Sequence, residues 1–85
     1  MERKKASLEQ LIDTAINWYE EHKDEISAAT PIRTPGITYS RKFLNSMDNE
    51  ILKWKSGVMP LELADCYIRR PLRKIYSYLR GKKKE

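Results

Sequence analysis

The sequence predicts an all-α protein, a small three-helix bundle whose last helix is kinked or split at Pro71. Strong helix formers dominate the 85-residue chain, which has only three Gly and four Pro. Apolar residues recur at helical spacing in three segments, and no alternating run is long enough to predict a strand. Because a chain of this length builds one domain, we treat residues 1–85 as a single helical domain.

The first predicted helix covers residues 7–29. Ser7 followed three residues later by Gln10 is the pattern of a capping box, in which each side chain bonds the other residue's backbone amide. The apolar stripe that should face the core consists of Leu8, Leu11, Ile12, Ala15, Ile16, Tyr19 and Ile26.

The segment 30–37 interrupts the helical pattern. It contains two Thr-Pro steps and a glycine. Proline lacks the amide donor and pushes the preceding residue into extended geometry, so a helix cannot continue here. We expect a stiff, extended connector, with Pro35 and Gly36 at the centre of a type II turn.

The second predicted helix covers residues 39–55. Thr38 or Ser40 suits its N-cap, and Gly57 suits the left-handed position after its C-terminus. Its apolar stripe consists of Phe43, Leu44, Met47, Ile51, Leu52 and Trp54.

The third predicted helix covers residues 60–80. Pro60 suits its first position, Gly81 is expected to end it, and residues 81–85 form a basic tail. The apolar spacing stays in phase across Pro71, which predicts a kink or two short helices in line rather than a chain reversal. The apolar positions are 61, 64, 68, 72, 75, 76 and 79.

Charge is distributed unevenly along the chain. The net charge is +5, but residues 6–29 carry −5 and residues 63–85 carry +6. In an up-down-up bundle the first and third helices run parallel, so acids from Glu20 to Glu25 would lie near the cations of the last helix. Surface ion pairs contribute only about 0–1 kcal/mol each. The sequence leaves open whether they mask the basic face or leave it free.

The basic last helix gives the strongest functional signal. Cations neutralise phosphates, and interleaved tyrosines can stack on bases, although these tyrosines also suit a core boundary. We therefore expect a small accessory protein that binds nucleic acid through this helix. The predicted contact residues are Tyr67, Arg69, Arg70, Arg73, Lys74, Tyr78, Arg80, Lys82, Lys83 and Lys84.

The short turn at residues 56–59 before a basic helix matches the outline of a helix-turn-helix. However, the start of the last helix, residues 60–65, is apolar and acidic. That composition predicts backbone or shape recognition rather than base reading, and it leaves DNA and RNA both open.

Catalytic and metal chemistry is not expected. His22 is the only histidine and Cys66 the only cysteine, and neither has a partner at ligand or nucleophile–base spacing. Three isolated glycines form no phosphate loop. We predict no enzyme activity, no metal and no cofactor.

The main alternative is a protein-interaction module, such as a regulator, an adaptor or an assembly subunit that docks on a larger partner. A homodimer is compatible with it. Trp18 and Trp54 are expected as core anchors, or as interface residues if exposed. Peripheral membrane binding by the last helix has less support, because that helix lacks Trp and Phe. Since no signal sequence or membrane span is recognisable, we expect a cytoplasmic protein.

Overall fold

The computed structural model describes residues 7–83 and the side chains of residues 7–81. It is mostly helical with one small sheet, which confirms the all-α class in its broad form, although the helices do not clearly form a three-helix bundle. No helix described in it is both long and apolar enough to cross a bilayer. The elements in chain order are α1 (Leu8–Glu21), α2 (Lys23–Ala29), β1 (Ile32–Thr34), β2 (Ile37–Tyr39), α3 (Arg41–Lys55), α4 (Leu61–Ala64), a π-helical turn (Asp65–Arg69) and α5 (Arg70–Lys83).

The first helix begins as predicted but is not continuous. The Ser7 Oγ accepts a hydrogen bond from the Gln10 amide, and the Gln10 Oε1 accepts one from the Ser7 amide, both at 3.1 Å. The helix is interrupted at His22, where φ is −115° and ψ is 23°. The Trp18 carbonyl oxygen accepts from the His22 amide at 3.0 Å and also lies 2.9 Å from the His22 Nδ1, so the imidazole folds back onto the end of α1.

An antiparallel hairpin of β1 and β2 begins in the predicted connector and extends to Tyr39, so the expectation of no strand was wrong. Ile32 pairs with Tyr39, and both are buried. Because each strand has only three residues, alternation along the sequence is too short to reveal it. Gly36 has a φ of +89°, the left-handed value that the predicted Pro35–Gly36 turn requires.

The ends of α3 agree with the sequence patterns. The Ser40 Oγ accepts a hydrogen bond from the Phe43 amide at 3.3 Å, so Ser40 is the N-cap and α3 begins two residues after the predicted start. Gly57 follows its C-terminus with a φ of +84°.

The last helical stretch passes through Pro71 without reversing direction. The Arg70 amide bonds the carbonyl of Asp65, five residues back, in the π-helical turn immediately before the proline. In a regular α-helix the proline ring would clash with the carbonyl four residues back, and the wider turn relieves that conflict. Gly81 does not end this helix, which continues to Lys83.

The core lies where the π-helical turn packs between α1 and α3. Ile68 in that turn is fully buried. Four residues of the predicted stripes, Leu11, Leu52, Leu61 and Tyr76, are exposed instead. The buried residues are Ile12, Ile16, Tyr19, Ile26, Ile32, Tyr39, Leu44, Met47, Ile51, Met59, Ala64, Ile68, Leu72, Ile75 and Leu79.

Tyr19 supplies the buried polar link between α1 and α3. Its single hydroxyl proton is shared between two acceptors, the Leu44 carbonyl at 3.2 Å and the Asp48 carboxylate at 3.1 Å. Burial, reinforced by the charge of Asp48, raises the pKa of Tyr19 well above its ordinary value. Burial also raises the pKa of Tyr39.

We expect Tyr19→Phe to lower the free energy of unfolding by about 1–2 kcal/mol near neutral pH, because it removes a hydrogen bond to a charged acceptor. Above the ordinary tyrosine pKa of about 10, the unfolded chain loses a proton that the folded protein retains, so stability falls as pH rises. Urea denaturation across this range should show a shallower alkaline decline in Tyr19→Phe than in the wild type. The exposed Tyr67→Phe serves as the hydroxyl control, and equal declines in all three proteins would contradict the assignment.

Two glycines offer a matched test of the hairpin turn. Gly36→Ala should destabilise the protein by about 1–2 kcal/mol, because its left-handed φ penalises a Cβ. Gly81→Ala, in open space on α5, should stabilise it by about 0.5–1 kcal/mol. Thermal and urea denaturation measure both, and a neutral Gly36→Ala would contradict the turn geometry.

Candidate nucleic-acid interface

A groove of about 990 Å³ lies between the hairpin and the last helical stretch. We call it the basic groove, because five of its lining residues are cations and none is an acid. Its lining residues are Arg33, Thr34, Pro35, Arg69, Arg70, Arg73, Lys74, Ser77 and Tyr78.

Local folding explains why these side chains converge. The hairpin packs against α5 through β1. Burial of Ile32 turns its neighbour Arg33 outward, since successive side chains of a strand alternate in direction. On α5 the apolar positions are buried, so Arg70 and Lys74, one turn apart on the opposite side, face solvent.

The cations of the groove differ in their ion pairs. The Asp65 carboxylate bonds the Nε of Arg69 and lies 3.4 Å from the Nε of Arg70. Within residues 7–81, Arg33, Arg73 and Lys74 form no ion pair. The groove therefore keeps unneutralised positive charge on both walls.

The acidic first helix turns part of its charge toward α3. The Glu20 carboxylate lies 2.8 Å from the Nζ of Lys55, and Asp13 accepts a hydrogen bond from the Trp54 Nε1 at 2.9 Å. Of the acids between Glu20 and Glu25 that the sequence places near the last helix, Glu20 pairs with α3 instead. Glu20 therefore does not neutralise the cations of the basic groove.

The first and last helices do run in the same direction. Leu11 of α1 shares a cleft with Leu72 of α5, and Trp18 contacts Tyr76. Further along, Glu25 of α2 and Arg80 of α5 line a third cleft.

Several predicted contact residues lie outside the basic groove. Tyr67 is half exposed and lines a separate cleft with Phe43 and Pro71. The Arg80 guanidinium lies over the Tyr76 ring, 5.4 Å from its centroid, and donates to the Tyr76 hydroxyl at 3.1 Å. Lys84 and the side chains of Lys82 and Lys83 lie outside the described residues.

Sequence reasoning missed Arg33, Thr34, Pro35 and Ser77. We interpreted the first three only as parts of a stiff connector, and nothing in the pattern placed that connector beside the last helix. The available signal was the cation at position 33, next to an apolar residue with high strand propensity.

The residues considered for catalysis do not come together. The imidazole of His22 stacks on the Trp18 indole with 5.3 Å between ring centroids, whereas Cys66 is exposed in the cleft that contains Tyr67. Among the described residues, no group of three His, Cys, Asp or Glu side chains is arranged to hold a metal ion.

A second groove, of about 510 Å³, lies between α1 and α5. We call it the apolar groove, because most of its lining is aliphatic or aromatic. Arg69 and Arg73 line both grooves. The residues of the apolar groove are Leu11, Thr14, Ala15, Trp18, Arg69, Leu72, Arg73 and Tyr76.

Comparison with protein-family models, with curated proteins and with solved structures finds no match to this chain. The two grooves are therefore the features of the molecule from which a function can be inferred.

The ion pair between Asp65 and Arg69 allows a test of whether Asp65 stabilises the wall of the basic groove. The side chains of Asp65 and Arg69 are only 13% and 20% exposed, so removing the carboxylate leaves a largely buried guanidinium without its anion. We expect Asp65→Ala to lower the free energy of unfolding by about 1–3 kcal/mol. The exposed Glu62→Ala should change it by less than about 0.5 kcal/mol. Urea denaturation measures both, and equal effects would contradict a structural role for the pair.

Proposed function

We propose that this protein binds nucleic acid through the basic groove, mainly by contacts to phosphates. The observation that carries the proposal is the convergence of five cations, from the hairpin and from the last helical stretch, on one open groove without a lining acid. A nucleic-acid backbone offers a row of negative charges, and neutralising them releases condensed counterions, which favours binding.

The groove suits backbone contact more than base reading. Its donors are long cationic side chains with the Ser77 hydroxyl, and Tyr78 is the aromatic residue of its lining. In a helix-turn-helix, the start of the last helical stretch would read the bases, but here it carries the acids Glu62 and Asp65. The Asp65 carboxylate forms ion pairs with Arg69 and Arg70. We therefore expect weak dependence on nucleotide sequence. We also propose a cytoplasmic location, where the protein would have access to nucleic acid.

The proposal predicts salt-dependent binding of labelled oligonucleotides. Fluorescence anisotropy with short single-stranded and duplex probes, titrated between about 50 and 200 mM salt, should give a log–log slope of about −0.7 to −0.9 for each phosphate contact. R33A/K74A, which removes cations without ion pairs from both walls, should weaken binding at low salt by about tenfold or more and flatten the slope by between about one and two units.

A matched control removes two cations elsewhere. K42A/K53A lowers the net charge by the same amount at exposed positions of α3 that do not line the basic groove. It should retain affinity within about threefold. Equal losses in the two double variants would indicate a diffuse charge effect, and absence of binding at low salt would refute the proposal.

The second candidate function is a protein-interaction module: a regulator, adaptor or assembly subunit, alone or as a homodimer. The apolar groove favours it, because an accessible apolar depression rimmed by polar groups is typical of partner surfaces. Absence of nucleic-acid binding together with a specific protein ligand would select this function over the first.

A further inference from the structure

The apolar groove runs between α1 and α5 and is lined mostly by apolar side chains. Ala15 and the buried Leu72 form its floor, and Leu11, Trp18 and Tyr76 form its walls. On the α1 side the small Ala15 lies between the larger Leu11 and Trp18. Leu11 and Tyr76 stay 41% and 39% exposed, although their spacing predicted that both would be buried.

The rim of this groove is charged on one side. Arg69 and Arg73 flank it on the side of the last helix, Thr14 flanks it on α1, and its lining contains no acid. Arg73 is exposed and forms no ion pair among the described side chains. Trp18 and Tyr76 also line the adjoining cleft, which contains an acid, Glu25, as well as Arg80, whereas the charged residues of the apolar groove are cations alone.

We propose that the apolar groove binds an acidic amphipathic helix of a partner protein. Aliphatic or aromatic residues at i, i+3, i+4 and i+7 of that helix would enter between Leu11 and Trp18, and its carboxylates would lie against Arg73. The seven-residue separation of Leu11 and Trp18 along α1 corresponds to about 10 Å, so the groove accommodates about two helical turns.

Charge complementarity favours this occupant over a second copy of the chain. The strongly acidic helix in this protein is α1, but its apolar stripe, with Ile12, Ile16 and Tyr19, is buried in the core. It cannot offer the acidic and apolar faces together without unfolding. This proposal rests on the second candidate function, and it can fail or hold separately from nucleic-acid binding because Leu11, Trp18 and Tyr76 do not line the basic groove.

The test uses two synthetic helical peptides without tryptophan. They share the same Leu and Phe positions, and their remaining positions are Glu in one peptide and Lys in the other. Binding to the full chain carrying Trp54→Phe is followed by peptide anisotropy and by the emission of Trp18, which lies in the groove. We expect the acidic peptide to bind and shift this emission, with an affinity at least about tenfold above that of the basic peptide.

Variants assign the binding to the groove. Leu11→Glu should weaken binding of the acidic peptide by about tenfold or more, whereas Leu52→Glu, on an exposed leucine outside the groove, should have no effect. Arg73→Glu should reverse the preference between the two peptides. Circular dichroism checks that each variant is folded.

Other outcomes would overturn the proposal. These are equal binding of both peptides, equal losses in Leu11→Glu and Leu52→Glu, or no binding of either peptide. Self-association in sedimentation experiments that Leu11→Glu abolishes would assign the groove to a second copy. Binding to anionic vesicles that Leu11→Glu abolishes, without peptide binding, would assign it to a lipid surface.

Discussion

Pro71 lacks the amide that an α-helix requires at its position, and the packing of the last helix depends on how the chain accommodates this absence. The π-helical turn at Asp65–Arg69 widens the helix just before the proline. Ala64, Ile68 and Leu72 are spaced by four residues, and each such step in a regular α-helix advances about 40° beyond a full turn. The wider turn absorbs that drift, so all three stay buried on one face. Arg70 and Lys74 then lie on the opposite face, beside the hairpin.

The distribution of ion pairs follows from this orientation. Asp65 lies within the widened turn, where it holds Arg69 and Arg70 against the helix. On the far side of the core, α1 and α3 are joined by Tyr19 with Asp48 and by Glu20 with Lys55. The hairpin adds Arg33 without adding a lining acid, so the positive surface is a property of the tertiary structure and not of one helix alone.

Local chemistry was predictable from the sequence, whereas contacts between distant segments were not. Ser7 with Gln10, Ser40 and Gly57 each act within a few residues, and each lies where its pattern indicated. The hairpin was missed because its three-residue strands carry too little alternation. The sequence shows the apolar residues Ala64, Ile68 and Leu72 at two consecutive intervals of four. We interpreted this spacing only as evidence that the helix continues across Pro71, and not as a sign of a wider turn. Arg33 could not be assigned to the site, because nothing local brings it to α5.

Arg73 belongs to both grooves, and this shared position has a thermodynamic consequence. A carboxylate that holds its guanidinium over the apolar groove withdraws that charge from a phosphate in the basic groove, and the reverse also applies. Two ligands that both engage Arg73 would therefore be negatively linked, each lowering the other's affinity by the same factor. A single side chain on the ridge between two surfaces would thus make occupancy of one groove a signal at the other, without any change of fold.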